Sequence, residues 1–319
     1  MRVLIASTAG AGHVGPLLPF AAALEERGDE VRRVIGEPDR RGTWDGFEEL
    51  SHEQQSAYFG REWFGRICTA AAQPAIDAAC DEFRPELILR EPCEYASAVA
   101  AEARGIPHVT IAISQARAEW SCIELVEGVL PGAVVEALRT APYLSRFPGS
   151  LDRSPFPDTR RYAESQAPES TRELVYATFG TVAAGLGYDP YRALLDAVDG
   201  LDVPVLLTTG EELDLGPVPP NVRVERWVPQ PEALARASLV VCHGGSGTVL
   251  GTLAAGIPLI ILPLFADQLS NARMLAEAGA ARVVEPHELR AAILDPPSPA
   301  LDLARELRAA PPPLTALRR

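Results

Sequence analysis

The sequence predicts an α/β protein made of two Rossmann-like halves, each a parallel sheet covered by helices and facing the other across a cleft. Three observations carry that expectation. Short apolar runs alternate with helix-patterned stretches, a proline-rich interruption divides the alternation near its middle, and each half holds a glycine-rich turn directly after an apolar run. With 319 residues, 47% hydrophobic and 23% charged, the chain can bury two cores of ordinary domain size.

In the first half, residues 2–7 read as a strand, 8–15 as a glycine-rich turn and 16–27 as a helix with Pro16 in its tolerated first turn. A strand at 31–35, a helical region at 64–79, a strand at 87–89, a helix at 95–104 and a strand at 109–113 follow. Residues 146–171 carry Pro148, Gly149, Pro155, Pro157 and Pro168, which break any regular pattern. Domains are therefore expected at 1–155 and 172–319, with 156–171 as linker. In the second half, strands are expected at 174–178, 203–208, 222–224, 239–242, 258–262 and 282–284, and a helix at 248–255. Residues 303–309 fit a further helix, which Pro311-Pro312-Pro313 cannot continue. Ligands in such folds sit in the crevice between halves.

Composition removes several function classes. A formal charge of −14 argues against a nucleic-acid partner. All 29 basic residues are arginine, which excludes lysine chemistry, including a P-loop lysine. Cysteines 68, 80, 93, 122 and 242 form no C-x-x-C pair, so buried thiols in a reducing compartment are expected rather than disulfides or a metal cluster. No apolar run approaches the roughly 20 residues of a membrane span, and residues 3–6 are too short for a signal-peptide core, so a cytoplasmic location is expected. Residues 123–130 mix apolar and acidic groups, a poor match to anionic lipid and a better one to a cover over a hydrophobic small molecule.

The richest stretch is His243-Gly244-Gly245-Ser246-Gly247-Thr248, followed by Asp267-Gln268. A glycine-rich strand-to-helix turn brings backbone N–H groups and the positive end of a helix dipole to a phosphate. His243 and the Thr248 hydroxyl add donors, while Asp267 and Gln268 suit sugar hydroxyls. The pattern points to a nucleotide-sugar enzyme.

Gly12-His13-Val14-Gly15-Pro16, Phe179-Gly180-Thr181, Trp227-Val228-Pro229-Gln230, the His243–Thr248 segment and Asp267-Gln268 occur in the order found in one family. In these motifs the chain resembles the inverting GT-B glycosyltransferases that decorate small natural products, among them antibiotic, macrolide and plant secondary-metabolite enzymes. The resemblance touches both halves and is strongest over residues 222–280. It implies His13 as the base that deprotonates the acceptor hydroxyl, a role suited to an imidazole neutral near pH 7. Glu91, where related plant enzymes carry an aspartate, is the expected partner orienting that histidine. It further implies Trp227 stacked on the nucleobase with Gln230 nearby. His243, Gly245, Ser246, Gly247 and Thr248 would lie on the diphosphate with Thr181 closing over it, and Asp267 and Gln268 on the sugar.

Two departures matter. Eight residues after the phosphate-binding histidine, UDP-sugar members carry a ribose-binding glutamate, whereas this chain has Gly251, which favours a dTDP-activated, deoxygenated sugar. Trp227–Gln230 resembles UDP-sugar users and pulls the other way. The chain is also shorter than the family leads one to expect, with little between Ile35 and residues 64–79 and little after Val284.

The expected partners are thus a nucleotide-sugar donor and a hydrophobic small-molecule acceptor, without metal, bound cofactor, nucleic acid or transmembrane segment, and with homodimerisation left open. Other readings are a UDP-sugar-dependent transferase, a sugar-nucleotide epimerase and a non-catalytic partner or activator of a sister transferase. Gly10-Ala11-Gly12-His13-Val14-Gly15, with Glu37 downstream, also fits a dinucleotide-binding fingerprint, but a dehydrogenase has no need of the second phosphate turn with its Asp-Gln.

Overall fold

The computed structural model describes residues 1–36, 52–163, 170–180, 190–264 and 267–318. Contacts divide the chain into two compact units, Met1–Glu164 with Ala310–Arg319, and Ser165–Ala309.

Unit 1 is a six-stranded, wholly parallel sheet in the order β2-β1-β3-β4-β5-β6. Its strands are β1 (Arg2–Thr8), β2 (Glu30–Gly36), β3 (Leu87–Arg90), β4 (His108–Ile111), β5 (Tyr143–Ser145) and β6 (Thr159–Arg161). The Val3-Leu4-Ile5-Ala6 run of β1 is apolar throughout because both faces are covered. Val3 and Ile5 pack with Leu17, Phe20 and Leu24, around the start of α2 (Leu18–Glu26), while Leu4 and Ala6 face Ile76 of α4 (Thr69–Phe83) and Ala100 of α5 (Ala96–Arg104). The glycine-rich turn after β1 winds into the short helix α1 (Ala11–Val14) and a 3-10 turn, Gly15–Leu17. Ahead of α4, α3 (His52–Tyr58) runs into a π-helix, Phe59–Cys68. Two further helices, α6 (Ala116–Leu125) and α7 (Gly132–Thr140), cross between β4 and β5.

Unit 2 repeats the plan with sheet order β12-β11-β10-β7-β8-β9, again wholly parallel. Its strands are β7 (Leu174–Thr178), β8 (Val205–Thr208), β9 (Val222–Glu225), β10 (Ala237–Cys242), β11 (Leu259–Ile261) and β12 (Arg282–Val283). Among the described residues the helices that accompany them are α8 (Pro190–Val198), α9 (Gln230–Leu234), α10 (Ser246–Ala255), α11 (Gln268–Glu277), α12 (Leu289–Leu294) and α13 (Leu301–Ala309).

Two expected limits shift. The stretch expected as linker contains β6, which pairs with β5 as the sheet edge: its backbone ladder outweighs the flanking prolines. The last residues, expected in the second domain, form α14 (Pro313–Leu317) and belong to unit 1, where Ala316 is fully buried beside Phe20 and Tyr162. The Pro311 carbonyl accepts the Ala163 N–H at 2.9 Å. Among the described residues, no helix is long and apolar enough to cross a membrane.

Candidate active site and donor site

In unit 1 the expected base and its partner come together at the carboxyl ends of neighbouring strands. Ala6 of β1 pairs with Arg90 of β3, so Thr8, at the end of β1, lies beside the turn after β3. His13 of α1 reaches back to this point, its Nδ1 lying 2.9 Å from Thr8 Oγ1 and 3.1 Å from Glu91 Oε1. The imidazole is 24% exposed, whereas the carboxylate is sealed from solvent. Glu91 Oε1 accepts the Thr8 N–H at 3.1 Å and the Thr8 hydroxyl at 2.8 Å, and Oε2 accepts the Cys93 N–H at 2.6 Å.

Arg90 fixes this turn from beneath. Its buried guanidinium donates to the carbonyls of Pro92 (3.0 Å) and Glu94 (2.8 and 2.5 Å) and to Thr110 Oγ1 (3.2 Å), tying the Pro92–Glu94 segment to β4. Burial pushes the Glu91 carboxyl up, but the attraction and hydrogen bond from His13, the Cys93 amide and the Thr8 hydroxyl outweigh it and hold Glu91 below the ordinary carboxylate range. The Cys93 thiol is driven well up by burial and by Glu91, so it stays protonated.

Ligand atoms of His13, Glu91 and Cys93 lie within 4.8 Å of one another, making them the set among the described residues that could hold a metal ion. A cation there would have to displace the Thr8 and Cys93 donors already on Glu91 and the Thr8 hydroxyl at His13 Nδ1.

Aromatic carbon borders the histidine. Phe64, on the π-helix, has its ring centre 5.6 Å from that of His13 and 6.4 Å from that of Phe59. Across from them α6 is anchored by Glu119, which accepts the N–H groups of Ile113 (2.8 Å) and Ser114 (2.5 Å) and the Tyr143 hydroxyl (2.6 Å). Burial, with repulsion from Glu91, raises the Glu119 carboxyl to about 8 against the hydrogen bonds that oppose it.

The phosphate-type turn of unit 2 has the same origin. β10 lies between β7 and β11, with Cys242 paired to Thr178 and Ile261, so His243, Phe179-Gly180 and the segment after β11 emerge side by side. A Cβ on Gly245 would stand 2.6 Å from His243 Nε2, and one on Gly180 3.0 Å. Glycine is needed there because the imidazole edge lies against the backbone. Burial lowers the His243 pKa, opposed by the Thr178 backbone and Asp267, so the ring is neutral near pH 7. The first intrahelical bond of α10 runs from Val249 N–H to the Gly245 carbonyl at 3.0 Å, leaving the amides of Ser246, Gly247 and Thr248 ahead of the helical ladder. Gly247 is exposed and Thr248 partly so.

Asp267 stands at the residue before α11, and its Oδ2 accepts the Ser246 hydroxyl at 3.2 Å and Asn271 Nδ2 at 3.3 Å. Asn271, fully buried, also donates to the Gly244 carbonyl at 2.9 Å and to Ser246 Oγ at 3.2 Å. It locks the turn to α11. Gln268 is buried, with Oε1 accepting the Leu264 N–H at 3.0 Å. Trp227 is 69% exposed, not a core residue. Gln230 opens α9, and its Oε1 lies 2.9 Å from where a Cβ on Gly251 would stand. Thr181 and Glu37 lie outside the described residues.

Sequence reasoning missed Thr8 and Asn271. Thr8 closes an apolar strand five residues before His13, and Asn271 lies one helical turn beyond Asp267 on the same face.

Comparison with known proteins agrees with this architecture. The spinosyn rhamnosyltransferase, in its structure complexed with thymidine diphosphate, superposes with a TM-score of 0.80 at 20% identity, covering 100% of this chain and 99% of that one. The fold is therefore GT-B. Residues 192–306 match the family model of the erythromycin biosynthesis protein CIII-like C-terminal domain. Elloramycin glycosyltransferase of Streptomyces olivaceus is 30% identical over 379 aligned positions, covering 98% of this chain and 95% of the relative. L-demethylnoviosyl transferase of Streptomyces niveus is 28% identical over 330 positions, covering 88% and 84%. The chain belongs to the GT-B family of natural-product glycosyltransferases. The 379-position alignment exceeds the 319 residues of the chain, so the elloramycin enzyme carries segments absent here.

Proposed function

We propose that this enzyme moves a sugar from a nucleoside-diphosphate donor, preferentially a dTDP-activated deoxysugar, to a hydroxyl of a hydrophobic natural product, with inversion and without a metal cofactor. The observation that carries the reading is the His13 imidazole held through Nδ1 by Thr8 and the buried Glu91 carboxylate. His13 takes the acceptor proton on Nε2 as the hydroxyl oxygen attacks the anomeric carbon and the C–O bond to the diphosphate breaks, and Glu91 stabilises the resulting imidazolium. One displacement inverts the centre. The Phe59–Phe64 surface beside His13 suits an apolar acceptor.

On the donor side, the α10 amides, His243 and Thr248 receive the diphosphate, and Trp227 stacks on the base. In this reading Asp267 and Gln268 meet the sugar. Gly251 supplies no carboxylate for a ribose hydroxyl, and Gln230 fills the space a side chain there would need. Thymidine diphosphate in the spinosyn enzyme supports the same donor class.

Calorimetric titration with dTDP and with UDP, without added metal, tests the donor. Tighter dTDP binding is expected; a preference for UDP would make Trp227–Gln230 the better guide, and binding of neither would overturn the donor site.

A further inference from the structure

We infer that Thr8 is the positioning residue that fixes the tautomer of His13, an inference that rests on His13 being the base. The proton inventory leads there. Thr8 Oγ1 has one hydrogen and two neighbours in reach, Glu91 Oε1 at 2.8 Å and His13 Nδ1 at 2.9 Å. The carboxylate takes that hydrogen, since its Oε1 already accepts the Thr8 N–H at 3.1 Å and its Oε2 the Cys93 N–H at 2.6 Å, the acceptor pattern of an ionised group. The hydroxyl oxygen is then an acceptor towards Nδ1, which must carry the ring proton. The opposite tautomer would set an Nδ1 lone pair 3.1 Å from a carboxylate oxygen and pull the hydroxyl hydrogen away from Glu91. Both changes are unfavourable, so the neutral ring keeps its lone pair on Nε2, the nitrogen a base must use.

Thr8 is itself over-determined. Its hydroxyl is buried, and its own N–H is bound to the same Glu91 oxygen at 3.1 Å. The backbone therefore holds the hydroxyl between the two partners, and a valine of the same shape would leave backbone, sheet and Glu91 in place while removing only the bridging atom. Serine keeps that atom.

Nitrogen-15 spectra of histidine-labelled protein read the tautomer directly, because the chain has five histidines and His13→Ala identifies the relevant signals. In the unaltered protein His13 is expected as the Nδ1–H form. Thr8→Val should mix in the Nε2–H form and lower kcat at least about tenfold with KM little changed, measured on hydrolysis of dTDP-glucose or UDP-glucose, whichever is turned over. Thr8→Ser should restore both. An unchanged tautomer in Thr8→Val overturns the inference, as does a changed tautomer with unchanged kcat. Full turnover by His13→Ala would instead defeat the base assignment, while the tautomer measurement still judges Thr8.

Discussion

At the residue scale, the exposure difference between His13 and Glu91 divides the labour between them. In the proposed mechanism a base must meet the acceptor, which the 24% exposed imidazole can do, while the sealed carboxylate would act only through the ring. His13→Ala should therefore leave nucleotide binding intact in calorimetry and reduce transfer by at least about a hundredfold, the low end for general-base catalysis. Undiminished transfer would remove His13 from the mechanism. Glu91→Gln is a subtler probe. One amide oxygen can still accept from Thr8 and His13, but the amide NH2 then faces the Cys93 N–H, donor against donor, and the imidazolium loses its counter-charge. The expected signature is a lower kcat with unchanged donor affinity. Because the native Glu91 pKa is depressed, its contribution to stability is present above the unfolded value and is lost as pH falls through the folded one, so Glu91→Gln should flatten the acid end of the stability curve.

At the element scale, the helices and strands that build the two sites were largely legible in the sequence. Fully buried parallel strands announce themselves as apolar runs, and residues 174–178 coincide with β7 end to end. What escaped depends on tertiary context. β5 and β6 are three residues each, too short for a periodic signal, and β6 lies among prolines that mark a break when read locally. A π-helix has no sequence period to find, yet this one carries Phe64 to the histidine. Glu91 read locally is as well explained by a solvated surface as by a buried partner; only the pairing of β1 with β3 decides. Glu119 is a comparable case, and it makes α6 sensitive to pH. Its pKa rises from an ordinary 4.5 to about 8, so between these values the folded state holds a proton that the unfolded state has released. Stability from this group is complete below the lower value and disappears as pH rises through about 8. The melting temperature should accordingly fall between pH 6 and pH 9, and Glu119→Gln, which stays neutral, should reduce that slope. An identical slope in both proteins would show that Glu119 does not titrate there.

At the scale of the whole molecule, the chain order is not the order of the units. After α13 in unit 2, residues 310–319 return to unit 1, where Ala316, Leu314 and Leu317 close the cluster around Leu17, Phe20, Leu24 and Tyr162. The return is held by polar contacts as well, from Ala163 N–H to the Pro311 carbonyl at 2.9 Å and from Arg160 to the Leu317 carbonyl at 3.3 Å. This face of β1 is the one opposite Ile76 and Ala100, so removing the tail opens one side of the strand that ends in Thr8. Deleting residues 310–319 should expose apolar surface worth on the order of 3–5 kcal/mol, taking two leucines and an alanine at about 25 cal/mol per Å² together with the faces they cover. For a unit of this size that corresponds to a fall of roughly 6–20 °C in the melting of unit 1. Among the described residues, the core cluster of unit 2 includes none of these side chains. Calorimetry should therefore show one transition moving down and the other staying, with dTDP still raising the second. Two transitions falling together would mean that the tail stabilises both units, and no change would mean that the α14 contacts add nothing in solution.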